Sequence, residues 1–259
     1  PAVACDSQVR VFVYSRSDHP LVVFDREGSF IASWGEDVIK DAHGIWIDEH
    51  DNVFCTERDT HCIFKFNREG ELVMTIGTPD EPGSEDGLPL KKPTDCVTTP
   101  NGEIFVSDGY ENARVHHYTA DGELVKSWGE WGTGPSQFEL CHAIRVDRDG
   151  RLWVCDRTND RIEIFDQDGN FLEEWTGLHK PDTIYFDPEA DIVYIAEMDQ
   201  LVSVFTLNGE LLSQWGGGEP SDKPGEFSAC PHGIWSDSHG DLYVGQVKTD
   251  GGLQKFVRQ

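Results

Sequence analysis

The sequence contains no run of about 18 apolar residues and no basic leader followed by an apolar stretch, so it predicts neither a spanning helix nor a retained signal peptide. A leader already removed would leave no trace. Basic residues are scarce, with 21 Lys and Arg against 48 Asp and Glu and a formal charge of -27. Such a chain repels a phosphate backbone and an anionic membrane surface and offers no basic stripe, so neither nucleic acid nor a membrane is an expected partner. CxxC spacing is absent. The cysteines are seven, an odd number, and fall mostly inside predicted strands, which points to free thiols in a reducing compartment, the cytoplasm. No feature specifies an oligomeric state.

What the chain does have is repetition. Aligned on one strand it reads GSFIASWG, GELVMTIG, GELVKSWG, GNFLEEWTG and GELLSQWGG. Aligned on another it reads VRVFVYS, DNVFCTE, GEIFVSD, GRLWVCD, DIVYIAE and GDLYVGQ. Apolar and polar positions alternate within each unit, and Asp-Gly, Asn-Gly and Glu-Gly mark the joints, the signature of successive hairpins. With 259 residues and 37% hydrophobic composition, a single large β domain can be built.

The units cover residues 1–35, 42–77, 92–129, 141–177, 180–217 and 231–259. Arranged radially, they predict one all-β domain over residues 1–259, a six-bladed β-propeller with mostly four-stranded blades. The last unit shows three clear strands, because VRQ follows LQKF directly, and a missing outer strand would leave an edge unpaired. The variable segments 78–91 and 130–140 join one blade to the next and are expected on the face where the inner strands begin, as walls of a pocket.

Three histidines then take on a pattern. Counting back five positions from the residue closing each inner strand (Asp6, Asp48, Thr99, Asp147, Asp187, Asp237) gives Pro1, His43, Thr94, His142, Asp182 and His232. The histidines occupy alternate blades, 99 and 90 residues apart, and should converge on the propeller axis from three sides. Three imidazoles with a fourth position open suit a catalytic zinc ion, although nickel, cobalt, manganese or iron(II) can use the same ligands. The alternative is a channel lined by histidines without metal. Histidine supplies only 10 of 259 residues, so filling three specified slots by chance is rare. The remaining histidines (His19, His50, His61, His116, His117, His179 and His239) lack this symmetry and are expected at the surface or in packing.

A second column lies where the second strand ends: Arg16, Arg58, Tyr110 and Arg157. That strand runs antiparallel to the first, so its end returns to the face where the histidines stand. Arginines there can grip a substrate carboxylate, and a tyrosine beside a cation can move a proton. Turn salt bridges are the competing role for the arginines. Asp182, the blade 5 counterpart of the histidines, is a candidate substrate-binding acid, with an acceptor supporting the metal ligands and a plain turn residue as the alternatives. Strand alternation turns Cys141 away from His142, while Cys230 can share the side of His232.

The histidine-headed inner strands, with YSRSDH, VSDGYENARVHHY and WVCDRTNDRIEIF, resemble the catalytic core of peptidyl-α-hydroxyglycine α-amidating lyase and the NHL-repeat propellers around it. The resemblance implies zinc held by His43, His142 and His232, facing Tyr110, Arg16 and Arg157. It also implies C–N cleavage of an α-hydroxyglycine to an amide and glyoxylate. Chemistry alone supports a small carboxylate-bearing substrate whose hydroxyl meets the metal. A metal-dependent hydrolase or hydratase and a non-catalytic NHL interaction scaffold are the alternatives.

Overall fold

The computed structural model describes residues 2–83, 89–247 and 252–259, and within them every sheet is a blade. Blade 1 is β1 (Ala2–Cys5), β2 (Val11–Tyr14), β3 (Leu21–Phe24) and β4 (Phe30–Trp34). Blade 2 is β5 (Ala42–Ile47), β6 (Val53–Glu57), β7 (Cys62–Phe66) and β8 (Leu72–Ile76). Blade 3 is β9 (Asp95–Thr98), β10 (Ile104–Asp108), β11 (Arg114–Tyr118) and β12 (Leu124–Trp128). Blade 4 is β13 (Cys141–Val146), β14 (Leu152–Asp156), β15 (Arg161–Phe165) and β16 (Phe171–Thr176). Blade 5 is β17 (Pro181–Phe186), β18 (Ile192–Glu197), β19 (Leu201–Thr206) and β20 (Leu211–Gly216). Blade 6 is β21 (Pro231–Ser236), β22 (Leu242–Gln246) and β23 (Leu253–Phe256). Each blade is an antiparallel meander, and the six inner strands close a ring in which β1 packs against both β5 and β21. The fold is the six-bladed propeller that the repeats predict. No helix among the described residues is long and apolar enough to cross a membrane.

Two recurring polar devices place the inner strands. At the bottom, the aspartate after the inner strand folds back on the next turn: Asp147 Oδ1 accepts the N–H groups of Asp149 (3.0 Å) and Arg151 (2.8 Å), and Asp6, Asp48 and Asp237 repeat the motif. Such a side chain replaces a backbone acceptor and closes a tight hairpin. At the top, in blades 2 to 6, the buried residue ending the second strand receives N–H groups from the segment entering the inner strand. Asp156 accepts from Glu139 (3.0 Å) and Leu140 (3.2 Å), Asp108 from Lys91 (2.7 Å), Glu197 from His179 (2.5 Å) and Gln246 from Ser228 (2.9 Å). Glu57 does the same for Lys40 and Asp41. These carboxylates and the amide fix where the inner strands of blades 2 to 6 begin, and that is where the histidines stand.

Hydrophobic side chains fill the seams between blades. Trp153, Phe105, Phe138 and Phe165 are fully buried, and each such side chain contributes roughly 1.5–3 kcal/mol by leaving water. The segment 130–140 does not wall the large cleft described below. It folds down onto blade 4, where the buried Arg161 donates to the carbonyls of Thr133 (3.0 Å), Gly134 (3.0 Å) and Gln137 (2.6 Å). The cleft is also free of the described part of 78–91, whose residues 84–88 lie outside the described residues.

Candidate metal centre

His43, His142 and His232 meet on the axis, their ring centroids 4.8, 5.1 and 5.0 Å apart in a near-equilateral triangle. One nitrogen of each lies within 4.8 Å of the others, a spacing that a single ion can bridge. Each histidine interrupts the pairing of its strand. The register of β5 with β6 shifts between Ala42 and Ile45, that of β13 with β14 between Cys141 and Ala143, and that of β21 with β22 between Pro231 and Gly233. A bulge re-aims the side chain of the extra residue, and here it frees the imidazole from the strand's alternation and turns it inward.

The blades between the histidines supply their backbone partners. His43 Nδ1–H donates to the Thr94 carbonyl (2.6 Å) and His142 Nδ1–H to the Asp182 carbonyl (2.8 Å), from the same slots in blades 3 and 5. The corresponding slot in blade 1 is Pro1, outside the described residues. These bonds fix the tautomer so that Nε2 keeps its lone pair. His43 Nε2 accepts from the Tyr110 hydroxyl (3.1 Å), and His142 Nε2 is buried without a hydrogen-bond partner. A buried nitrogen left unpaired costs free energy that a metal bond would recover. The donor set of three neutral imidazoles therefore fits a divalent transition metal.

Burial, with the surrounding arginines, holds all three rings neutral: His43 is lowered to about 3, and His142 and His232 lie well below the usual histidine range. Burial disfavours the imidazolium, so protons compete for Nε2 only as pH falls toward these lowered values. Bound metal is accordingly expected to persist from pH 8 down to about pH 5, where ordinary histidines with a pKa of about 6.5 have largely protonated. Metal content after equilibrium dialysis across that range checks this. Release centred near pH 6.5 would contradict it.

Tyr110 sits on a turn that only glycine permits. A Cβ on Gly109 would lie 2.1 Å from the Cys141 carbonyl oxygen, directly before His142. Gly109→Ala is expected to push the Tyr110 turn off β13 and destabilise the domain by about 1–3 kcal/mol, read as a Tm lower by several degrees. An unchanged melting curve would show that the turn can yield.

Two of the arginines flank Tyr110, and all three are already held. The Arg58 and Arg157 guanidinium carbons lie 5.3 and 5.8 Å from the Tyr110 ring centre. Asp41 bridges Arg16 and Arg58, and Arg157 Nη1 donates to Asp182 Oδ1 (3.0 Å). Asp182 is fully buried; burial pushes its carboxyl up to about 7 against the opposing pull of Arg157. Its carboxylate thus braces Arg157 while its carbonyl braces His142. Asp41 was not singled out by sequence reasoning, although an acid two residues before an axial histidine is a readable signal. Cys141 is buried away from the centre, its thiol donating to the Arg114 carbonyl (3.2 Å), and Cys230 stands just before β21, half-buried. Of the remaining histidines, His116 is buried between Asp108 and Ser127.

Two spaces adjoin the imidazoles. A void of about 20 Å³ follows the axis beneath them, bordered by Asp95, Arg145 and Asp182. A cleft of about 800 Å³ runs outward between blades 6 and 1 from His43 and His232, past Arg16 to Phe24 and Leu253. It is large enough for a small organic substrate.

NHL repeat-containing protein 3 of Homo sapiens is 29% identical over 205 residues, covering 73% of this chain and 59% of that protein. Peptidyl-alpha-hydroxyglycine alpha-amidating lyase 1 of Drosophila melanogaster is 33% identical over 155 residues, covering 55% of this chain and 28% of that protein. The chain is homologous to NHL-repeat proteins and amidating lyases. It spans less than two thirds of the length of these relatives. No family model matches it. Among solved structures, a streptogramin B lyase superposes with a TM-score of 0.69 over all of this chain and 82% of that one, at 16% identity, a likeness of fold.

Proposed function

We propose that this propeller is a metal-dependent lyase that cleaves the C–N bond of a small carboxylate-bearing carbinolamine of the α-hydroxyglycine type. The observation that carries the reading is the Tyr110 hydroxyl 3.1 Å from Nε2 of a neutral, axial histidine, on a ring flanked by the Arg58 and Arg157 guanidinium groups. The homology to amidating lyases supports it. His43, His142 and His232 would hold the metal, zinc being the first choice, and when bound it would supply Lewis-acid stabilisation of negative charge developing on the substrate hydroxyl oxygen.

The chain's own groups do the rest. Arg16, whose side chain is 46% exposed, faces the cleft. A guanidinium has five donors, so Arg16, Arg58 and Arg157 can each bind a substrate carboxylate while staying anchored to Asp41 or Asp182. That local cation cluster offsets the overall charge of -27 at the mouth. Tyr110 is placed to take the hydroxyl proton as the C–N electron pair moves to nitrogen and a carbonyl forms, and then to return that proton to the departing amide. Products are an amide and an α-keto or aldehyde acid. The unpaired thiols support a reducing compartment such as the cytoplasm.

The test is a panel of α-hydroxyglycine derivatives, simple carbinolamines, lactones and hydratable substrates given to the metal-loaded protein. Glyoxylate plus amide is expected. Ring opening or hydration without C–N cleavage would replace the lyase with a hydrolase or hydratase. The alignment with NHL repeat-containing protein 3 favours a second reading, a non-catalytic scaffold, and absence of turnover on every class with the metal in place would select it.

A further inference from the structure

Blade 5 carries the bulge of the histidine blades without carrying a histidine. The register of β17 with β18 shifts between Pro181 and Thr183, the place that corresponds to the bulges of β5, β13 and β21, whereas β9 pairs with β10 without a shift. A bulge re-aims the side chain of the extra residue, and in blade 5 that residue is Asp182, which is fully buried. A buried carboxylate is costly unless it is paired, and here two groups claim one oxygen. Asp182 Oδ1 accepts from Arg157 Nη1 at 3.0 Å and lies 3.3 Å from His142 Nδ1, the nitrogen whose N–H already donates to the Asp182 carbonyl. Oδ2 has no hydrogen-bond partner among the described residues, and the axial void of about 20 Å³ borders the residue, so the carboxylate has room to turn.

His43 is not linked in this way. Its partner in blade 3, Thr94, offers the ring only a carbonyl, because the Thr94 hydroxyl is engaged with Ser107 Oγ (2.7 Å) and the Cys141 carbonyl (2.8 Å). Arg16 and Arg58 pair with Asp41 instead. Among the described residues Arg157 is therefore the one arginine of the site that shares a carboxylate with a ligand ring. Its side chain is 16% exposed, so an anion entering the mouth can reach a guanidinium whose carboxylate partner is sealed from solvent.

We infer that Asp182 couples the two halves of the site: a carboxylate bound to Arg157 tightens metal binding at His142, and bound metal tightens carboxylate binding at Arg157. Both claims on Oδ1 come from nitrogen donors, and one oxygen cannot serve both at full strength. A carboxylate that takes over the guanidinium releases Oδ1 to the Nδ1–H of His142, and an anionic acceptor there raises the donor strength of Nε2. In the reverse direction, a ring that ligates a cation is the stronger Nδ1–H donor and draws Oδ1 away from Arg157, which frees the guanidinium fork. The two effects are one coupling free energy and must be equal. Carboxylate-bearing ligands thereby favour the metal-loaded chain over the empty one. The inference rests on the metal centre proposed above and not on the reaction.

The test is a titration with cobalt(II), an ion that three imidazoles suit, read by the visible absorption of the bound ion against a competing chelator. It is run at about pH 8 in sodium acetate and in sodium perchlorate of equal ionic strength. Acetate is expected to lower the cobalt dissociation constant of the wild type about fivefold or more. Asp182→Asn keeps the backbone carbonyl bond to His142, and it is expected to weaken cobalt binding about 10–100-fold and to abolish the acetate effect. Arg157→Gln, on the exposed side of the pair, is expected to abolish the acetate effect while cobalt still binds, which keeps the test decisive if the buried substitution fails to fold. An acetate effect of equal size in the wild type and in Arg157→Gln would put the anion on the metal itself and overturn the inference. So would the absence of any acetate effect in the wild type, with the metal centre left standing. A chain that binds no cobalt at all would overturn the centre and the inference together.

Discussion

Replacing His142 with alanine is expected to empty the metal centre. Elemental analysis after mild dialysis should find about one divalent ion per wild-type chain, and well under a tenth of that in the variant. The size of the effect follows from the ligand count. Loss of a group that only supports a metal ligand typically weakens affinity 10–100-fold, and His142 is one of just three candidate nitrogens. Its Nε2 is buried and accepts no hydrogen bond from another side chain, so no neighbouring protein group stands ready to substitute. Without metal the substitution should cost little: the bond to the Asp182 carbonyl is lost, a term of about 1 kcal/mol, but an unsatisfied buried nitrogen goes with it. In the presence of a chelator the two proteins should therefore melt within a few degrees of each other, and only the wild type should gain stability when zinc is restored. Equal metal content in both would remove His142 from the cage.

Tyr110→Phe should leave the metal in place and lower kcat by about 10²–10⁴-fold, the usual contribution of a positioned proton-transfer group. The ring keeps its contacts with His43 and with the Arg58 and Arg157 guanidinium groups, so substrate binding should change little. Only the hydroxyl, with its hydrogen bond to His43 Nε2, disappears. A purely structural role for the phenol would show itself as lost metal or a raised KM at unchanged kcat. Glyoxylate release measured at saturating metal separates the cases, and a kcat within about threefold of wild type would dismiss Tyr110 as the proton carrier.

Repetition made the fold legible. The recurring strand segments carry both the strand period and the blade count, and the residue closing each inner strand, an aspartate in every blade but the third, provides a fixed origin from which the axial slot can be counted. The same count marks Thr94 and Asp182 as the slots between histidines, but it cannot show that their backbone carbonyls orient the rings. A backbone carbonyl carries no residue-specific signature. The arginine and tyrosine column was readable from chain direction alone, because an antiparallel second strand must end where the first begins. Its electrostatic setting was not, since Asp41 reaches Arg16 and Arg58 from different blades.

The sequence by itself determined six blades, an alternating triad of histidines and the face on which polar side chains would gather, because these depend on periodicity and strand direction. Tertiary structure decided the bulges that aim His43, His142 and His232, the burial that keeps them neutral and the closeness of Gly109 to β13. The bulges depend on register within each hairpin, which alternation alone does not specify, while the burial and the Gly109 contact depend on the separation of strands in different blades and are settled only when the ring of blades closes.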